Sequence, residues 1–73
     1  MLPREESFYF SLAERGIREG DSNCVVHAQM LLEHLKHLKT LKRRSSIQRA
    51  EQKIMIETRQ VERILNIVSS SAL

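Results

Sequence analysis

The chain is predicted to be all-α: a two-helix antiparallel hairpin with coiled-coil-like packing, preceded by a short N-terminal helix or arm. Three observations carry that prediction. From Asp21 to Leu73 there is no glycine and no proline. Two segments in that interval are striped with leucine or isoleucine at helical spacing, and a polar, basic elbow, Lys42-Arg43-Arg44-Ser45-Ser46, lies between them. Helices of this length are marginal in water on their own and draw most of their stability from burying an apolar face, so the two segments are expected to pack on each other.

Residues 1–20 form the N-terminal part. Pro3 suits a first helical turn, where its missing N–H would be unpaired anyway, and Phe8, Leu12 and Ile17 add apolar surface. Phe8, Tyr9 and Phe10 are consecutive and so point about 100° apart around a helix. They cannot share one face, and the segment is expected either to pack over the hairpin or to dock on a partner through these rings. Gly16 and Gly20 weaken the helix and permit positive φ. Gly20-Asp21-Ser22-Asn23 then reads as a stop followed by caps for the next helix.

Residues 21–73 form the hairpin, with helices over about 22–42 and 46–68. In the first, Cys24, Ala28, Leu31, Leu35 and Leu38 recur at the three-and-four spacing of a core stripe, flanked by Leu32 and Leu41. Ser45-x-x-Gln48 matches a capping box and favours a turn over one continuous rod. In the second, Ile47, Ala50, Ile54, Val61, Ile64, Leu65 and Val68 make the stripe, with Thr58 as its polar member. The expected hairpin core is thus Leu31, Leu35, Leu38, Ile47, Ile54, Val61, Ile64, Leu65 and Val68. Ile56 and Ile67 fall on the opposite side, on one line with Gln60 and Arg63. Together with Val25 and Leu32, which the hairpin leaves unplaced, that line suggests covered surface. Ile56, Gln60, Arg63 and Ile67, with Phe8, Tyr9 and Phe10, are the expected partner-binding residues. The tail 69–73 is expected to fray.

At 73 residues the chain is short of the size at which one core confers comfortable stability, and a partner is expected. One cysteine gives no disulfide framework and fits a reducing compartment. The first residues are acidic where a signal peptide would be basic and then apolar, and no apolar run approaches the ~20 residues of a bilayer span. A soluble, cytoplasmic protein without a membrane span is expected. Charge is uneven: up to Leu35 there are three Lys/Arg against six Asp/Glu, and from Lys36 onward nine against three. The basic half invites a nucleic-acid reading. Lys36, Lys39, Lys42, Arg43 and Arg44 equally complement the negative end of the first helix dipole, which makes nucleic acid the weaker reading.

Little in the sequence points to chemistry. Cys24, His27, His34 and His37 project from one side of the first helix, but Cys24 and His37 are thirteen residues apart, or about 20 Å along the axis, too far to share one zinc. His34 and His37 are read as half-buried border residues and Cys24 as a small core residue. No phosphate-binding glycine loop, nucleophile elbow or HExxH occurs, so neither an enzyme nor a cofactor is expected. DNA binding through a helix-turn-helix would want two helices at a steep angle around a tight turn and usually a third helix, which the first segment could supply. Both main helices are long, however, and their stripes persist, as near-antiparallel packing requires.

The hairpin architecture and the run Val61-Glu62-Arg63-Ile64-Leu65-Asn66-Ile67-Val68 resemble the small YscE/SsaE-type co-chaperones of type III secretion needle subunits. The resemblance spans about 30–68 and departs from the family in the added aromatic arm and the more basic elbow. It implies a non-enzymatic protein of the bacterial cytoplasm that binds a larger, tetratricopeptide-like helical chaperone. Through that chaperone it would hold the needle subunit monomeric until export. The alternatives from the residues alone are a small basic nucleic-acid-binding regulatory protein and a self-associating helical bundle.

Overall fold

Three helices account for most of the chain: α1 (Glu6–Glu19), α2 (Ser22–Leu38) and α3 (Arg44–Ile64). The computed structural model describes residues 2–66, and among them there is no strand.

Local chemistry sets the helix ends. Pro3 lies before α1 rather than in its first turn, and the helix starts at Glu6 after the extended Glu5, whose carbonyl accepts from the Phe8 N–H at 3.0 Å. Asp21 is the N-cap of α2: it is extended, and its carboxylate accepts from the Cys24 N–H at 2.9 Å, satisfying one of the helix's orphan donors. Only one residue, Gly20, separates α1 from that cap, and it is extended (φ −83°, ψ 165°). Its freedom to adopt positive φ is therefore unused, and what it supplies is space. A Cβ there would lie 2.4 Å from the Cys24 side chain and 2.7 Å from the Gly16 carbonyl oxygen.

The elbow departs from expectation. α2 stops at Leu38, not Lys42, because Thr40 turns back on the helix end: its N–H and its hydroxyl both donate to the His37 carbonyl, at 2.9 and 2.8 Å. α3 then starts at Arg44, two residues before the expected 46. The capping box does not form, since the N-cap is Arg43 with no side-chain bond and Ser45 lies inside the first turn. Arginine and serine both tolerate a helix well enough for α3 to extend back to the point where the chain must reverse. At the far end Asn66 adopts positive φ (57°), a conformation asparagine tolerates, and its N–H donates to the Arg63 carbonyl at 3.1 Å. α3 therefore ends at Ile64 rather than 68. Ile67, Val68 and the tail 69–73 lie outside the described residues.

One core joins all three helices. Tyr9, Leu12 and Ala13 from α1 meet Cys24, Ala28, Leu31 and Leu35 from α2 and Ile54 and Val61 from α3. Gly16 lets α1 approach closely, since a Cβ on it would stand 2.9 Å from Ala28 Cβ and 3.1 Å from Val61 Cγ1. Phe8, Phe10, Leu32, Leu38, Ile64 and Leu65 pack half-buried around this cluster. Thr58, the polar member of the α3 stripe, is buried and donates its hydroxyl to the Ile54 carbonyl at 2.7 Å, which satisfies it within its own helix. The radius of gyration is 12.1 Å, close to the ~11 Å expected of a compact domain this size. The N-terminal segment is thus a full third layer of the core.

Candidate partner-binding surface

The expected partner residues divide by position around their helices. On α3, Ile56 is 57 % exposed, Arg63 is exposed and Gln60 half-buried. Ile56 shares its face with Arg49, Gln52, Lys53 and Arg59, which follow the three-and-four spacing of a helix. This strip holds an isoleucine among cations and amides and contains no carboxylate. Gln52, Met55, Ile56 and Arg59 border a shallow depression there. Ile67 falls outside the described residues.

Tyr9 belongs elsewhere. Expected on a partner surface, it is 1 % exposed and among the largest fully buried side chains. Its hydroxyl accepts from the Arg4 N–H at 3.3 Å and faces Met55 Sδ at 3.9 Å, so the ring bridges α1 to α3. Phe8 stacks edge-on against Tyr9 with centroids 5.2 Å apart, and the Arg4 guanidinium covers its other surface at 4.3 Å. Phe10 lies under the Lys39 ammonium at 5.3 Å, and the same ammonium pairs with Glu6 at 2.9 Å. The three rings point apart, as helical geometry requires, and each meets the chain's own residues. Tyr9 is covered by the chain itself, whereas Phe8 and Phe10 are half-buried and keep part of their surface exposed.

Of the expected hairpin core, Leu31, Leu35, Ile54 and Val61 are fully buried, while Leu38, Ile47, Ile64 and Leu65 are half-buried. Leu32, unplaced in a bare hairpin, packs against the core. Val26, 52 % exposed, and Met30, 41 % exposed, form instead an uncovered apolar pair on the outer side of α2. Their i, i+4 spacing opposite the Leu31 and Leu35 stripe was the available signal. They border a second depression with Gln29, Leu32, Glu33 and Lys36.

The histidines part company. His27 Nδ1 lies 2.7 Å from Glu57 Oε1, and Glu57, 8 % exposed, is the one buried acid among the described residues. A buried carboxylate needs such a donor, and the pair links the first half of α2 to the second half of α3. Nothing in the sequence marks two residues thirty positions apart as partners. Among the described residues no group of three His, Cys, Asp or Glu side chains is placed to hold a metal ion. The Cys24 thiol is fully buried, and burial, assisted by the negative charge of Asp21, pushes its pKa up, so it is a poor nucleophile. On the open surface of α1, hydrogen bonding from Arg15 (3.2 Å), with Arg18 also close, holds the Glu19 carboxyl below its usual range.

No helix among the described residues is long and apolar enough to cross a membrane. No family model, curated protein or solved structure matches the chain.

Proposed function

We propose that this chain is a non-enzymatic helical interaction protein of the type III secretion co-chaperone kind. It pairs with a larger, tetratricopeptide-like helical chaperone and so keeps a needle subunit monomeric in the bacterial cytoplasm. In this reading α2 and α3 act as an antiparallel hairpin, α1 braces it from one side, and the outer face of α3 docks.

The observation that carries the reading is Ile56, more than half exposed at the centre of a strip that is otherwise cationic or amide. Single exposed isoleucines are common. This one is ringed by Arg49, Lys53, Arg59 and Arg63 with no acid on the same face, which specifies an occupant of complementary chemistry: an apolar groove with an acidic rim. The molecule measures 34 × 28 × 17 Å, so its broad side is just large enough for the ~800 Å² per partner of a standard interface. Burying the rest of Ile56 contributes about 1–2 kcal/mol before ordering costs, and the arginines give register and association rate.

Co-purification of the chain with a tetratricopeptide-like chaperone encoded beside it tests the proposal. Ile56→Lys is expected to lose the complex while keeping wild-type helicity, because lysine is a good helix former at an exposed site. Ile54→Lys and Val61→Lys place charge in the core and are expected to unfold the chain. An Ile56→Lys protein that still co-purifies normally refutes docking through this face. Sedimentation of the chain alone separates the remaining class: a dimer that Ile56→Lys dissolves, with no chaperone captured, means that the face serves self-association.

A further inference from the structure

Between the last turns of α2 and the first turns of α3 the structure leaves a cavity of about 190 Å³. Leu41 and the buried Ala50 are its apolar lining, and His34, His37, Ser46, Arg49 and Lys53 supply its polar lining. Every one of those five side chains can donate a hydrogen bond, and no carboxylate lines the space. We infer that this cavity binds a phosphate-type oxyanion, either free or as the terminal group of a small phosphomonoester.

Three features of the surroundings support the assignment. Among the described residues Arg49 and Lys53 have no ion-pair partner, since the pairs formed there use Arg15, Arg18, His27 and Lys39. Glu51, two residues from both cations, points about 200° away from each around α3 and does not line the cavity, and Glu57, one helical turn from Lys53, is engaged by His27 at 2.7 Å. The His37 carbonyl, which would repel an anion, already accepts two bonds from Thr40. The donors are thus gathered from two helices with the local acceptors occupied elsewhere, an arrangement that charge-assisted bonds to an oxyanion complete.

Size narrows the ligand. The volume corresponds to about six water molecules at ~30 Å³ each and falls below the ~300 Å³ at which pockets for whole cofactors begin. A phosphate or pyrophosphate group fits this half-open space, and the remainder of a larger phosphomonoester would extend into solvent. The inference does not rest on the co-chaperone reading, whose decisive residue, Ile56, is not part of the cavity lining.

Titration of the ¹⁵N-labelled chain with inorganic phosphate, pyrophosphate and glycerol 3-phosphate, at ionic strength held constant with chloride, tests it. Saturable amide shifts centred on His34, His37, Ser46 and Arg49 are expected. Comparison of the three probes tells a free anion from a phosphomonoester. Arg49→Gln/Lys53→Gln should weaken binding by about tenfold or more. Arg59→Gln/Arg63→Gln removes equal charge away from the cavity and should change it by less than about twofold. Both variants replace exposed residues with a good helix former, and circular dichroism checks that they fold. Shifts that grow without saturating, or equal losses in the two variants, would show diffuse charge attraction and overturn the site. A single-stranded oligonucleotide whose binding depends as strongly on Arg59 and Arg63 would replace it with an extended nucleic-acid face.

Discussion

Removing the Tyr9 ring tests whether α1 is part of the folding unit or an appendage to a hairpin. Tyr9 is 1 % exposed and packs in the cluster shared by all three helices. Truncating a buried aromatic to alanine costs ~3–5 kcal/mol, through lost transfer energy and the cavity left behind. A domain of 73 residues has only ~4–11 kcal/mol to lose at ~0.05–0.15 kcal/mol per residue. Tyr9→Ala should therefore lower the melting temperature by on the order of 20 °C and bring the protein near its unfolding midpoint under mild conditions. Tyr9→Phe separates the ring from the hydroxyl. The hydroxyl has only a 3.3 Å bond from the Arg4 N–H and a 3.9 Å contact to Met55 Sδ, so its loss should cost below ~1 kcal/mol. Thermal and urea unfolding by far-ultraviolet circular dichroism reads both variants. If Tyr9→Ala melts like wild type and merely loses helical signal equivalent to α1, the hairpin folds without it and the three-layer core is wrong.

Two further predictions follow from close packing near Cys24. Gly20→Ala should destabilise by ~1–3 kcal/mol, because the new Cβ would sit 2.4 Å from the Cys24 side chain while the backbone itself is unstrained at φ −83°. Gly16→Ala should cost less, since its closest contact is 2.9 Å and the helix gains ~1 kcal/mol of propensity; urea midpoints in the reverse order would refute the reading. The Cys24 pKa is raised above its ordinary 9.0, so the folded state disfavours the thiolate. Its contribution is fully present below pH 9 and is lost as pH rises through the folded value. The alkaline fall in stability should accordingly be smaller in Cys24→Ala than in wild type, and native thiol labelling should proceed only as fast as the chain opens. Rapid labelling at neutral pH would show that Cys24 is not buried.

All-helical structure follows from residue spacing alone. The intervals from Leu31 to Leu35 and from Ile54 to Val61 put apolar side chains on one face only at a helical period, and the absence of glycine and proline after Gly20 leaves nothing to break it. Asp21 was likewise legible as a cap, because its carboxylate acts on an N–H three residues ahead and needs no distant partner. Features that depend on contacts between helices were not legible. The burial of Tyr9, the need for Gly16 opposite Ala28 and Val61, and the pairing of His27 with Glu57 all join residues far apart in sequence. The end of α2 was set by Thr40 bonding back to His37, a choice between two local options of similar energy that the reversal of the chain decided. Ile56 was placed outward from its phase on α3. The basic strip around it follows from the same phase, but the cavity at the elbow depends on how the end of α2 meets the start of α3, because periodicity fixes a side chain's direction on its own helix but not which neighbour arrives there.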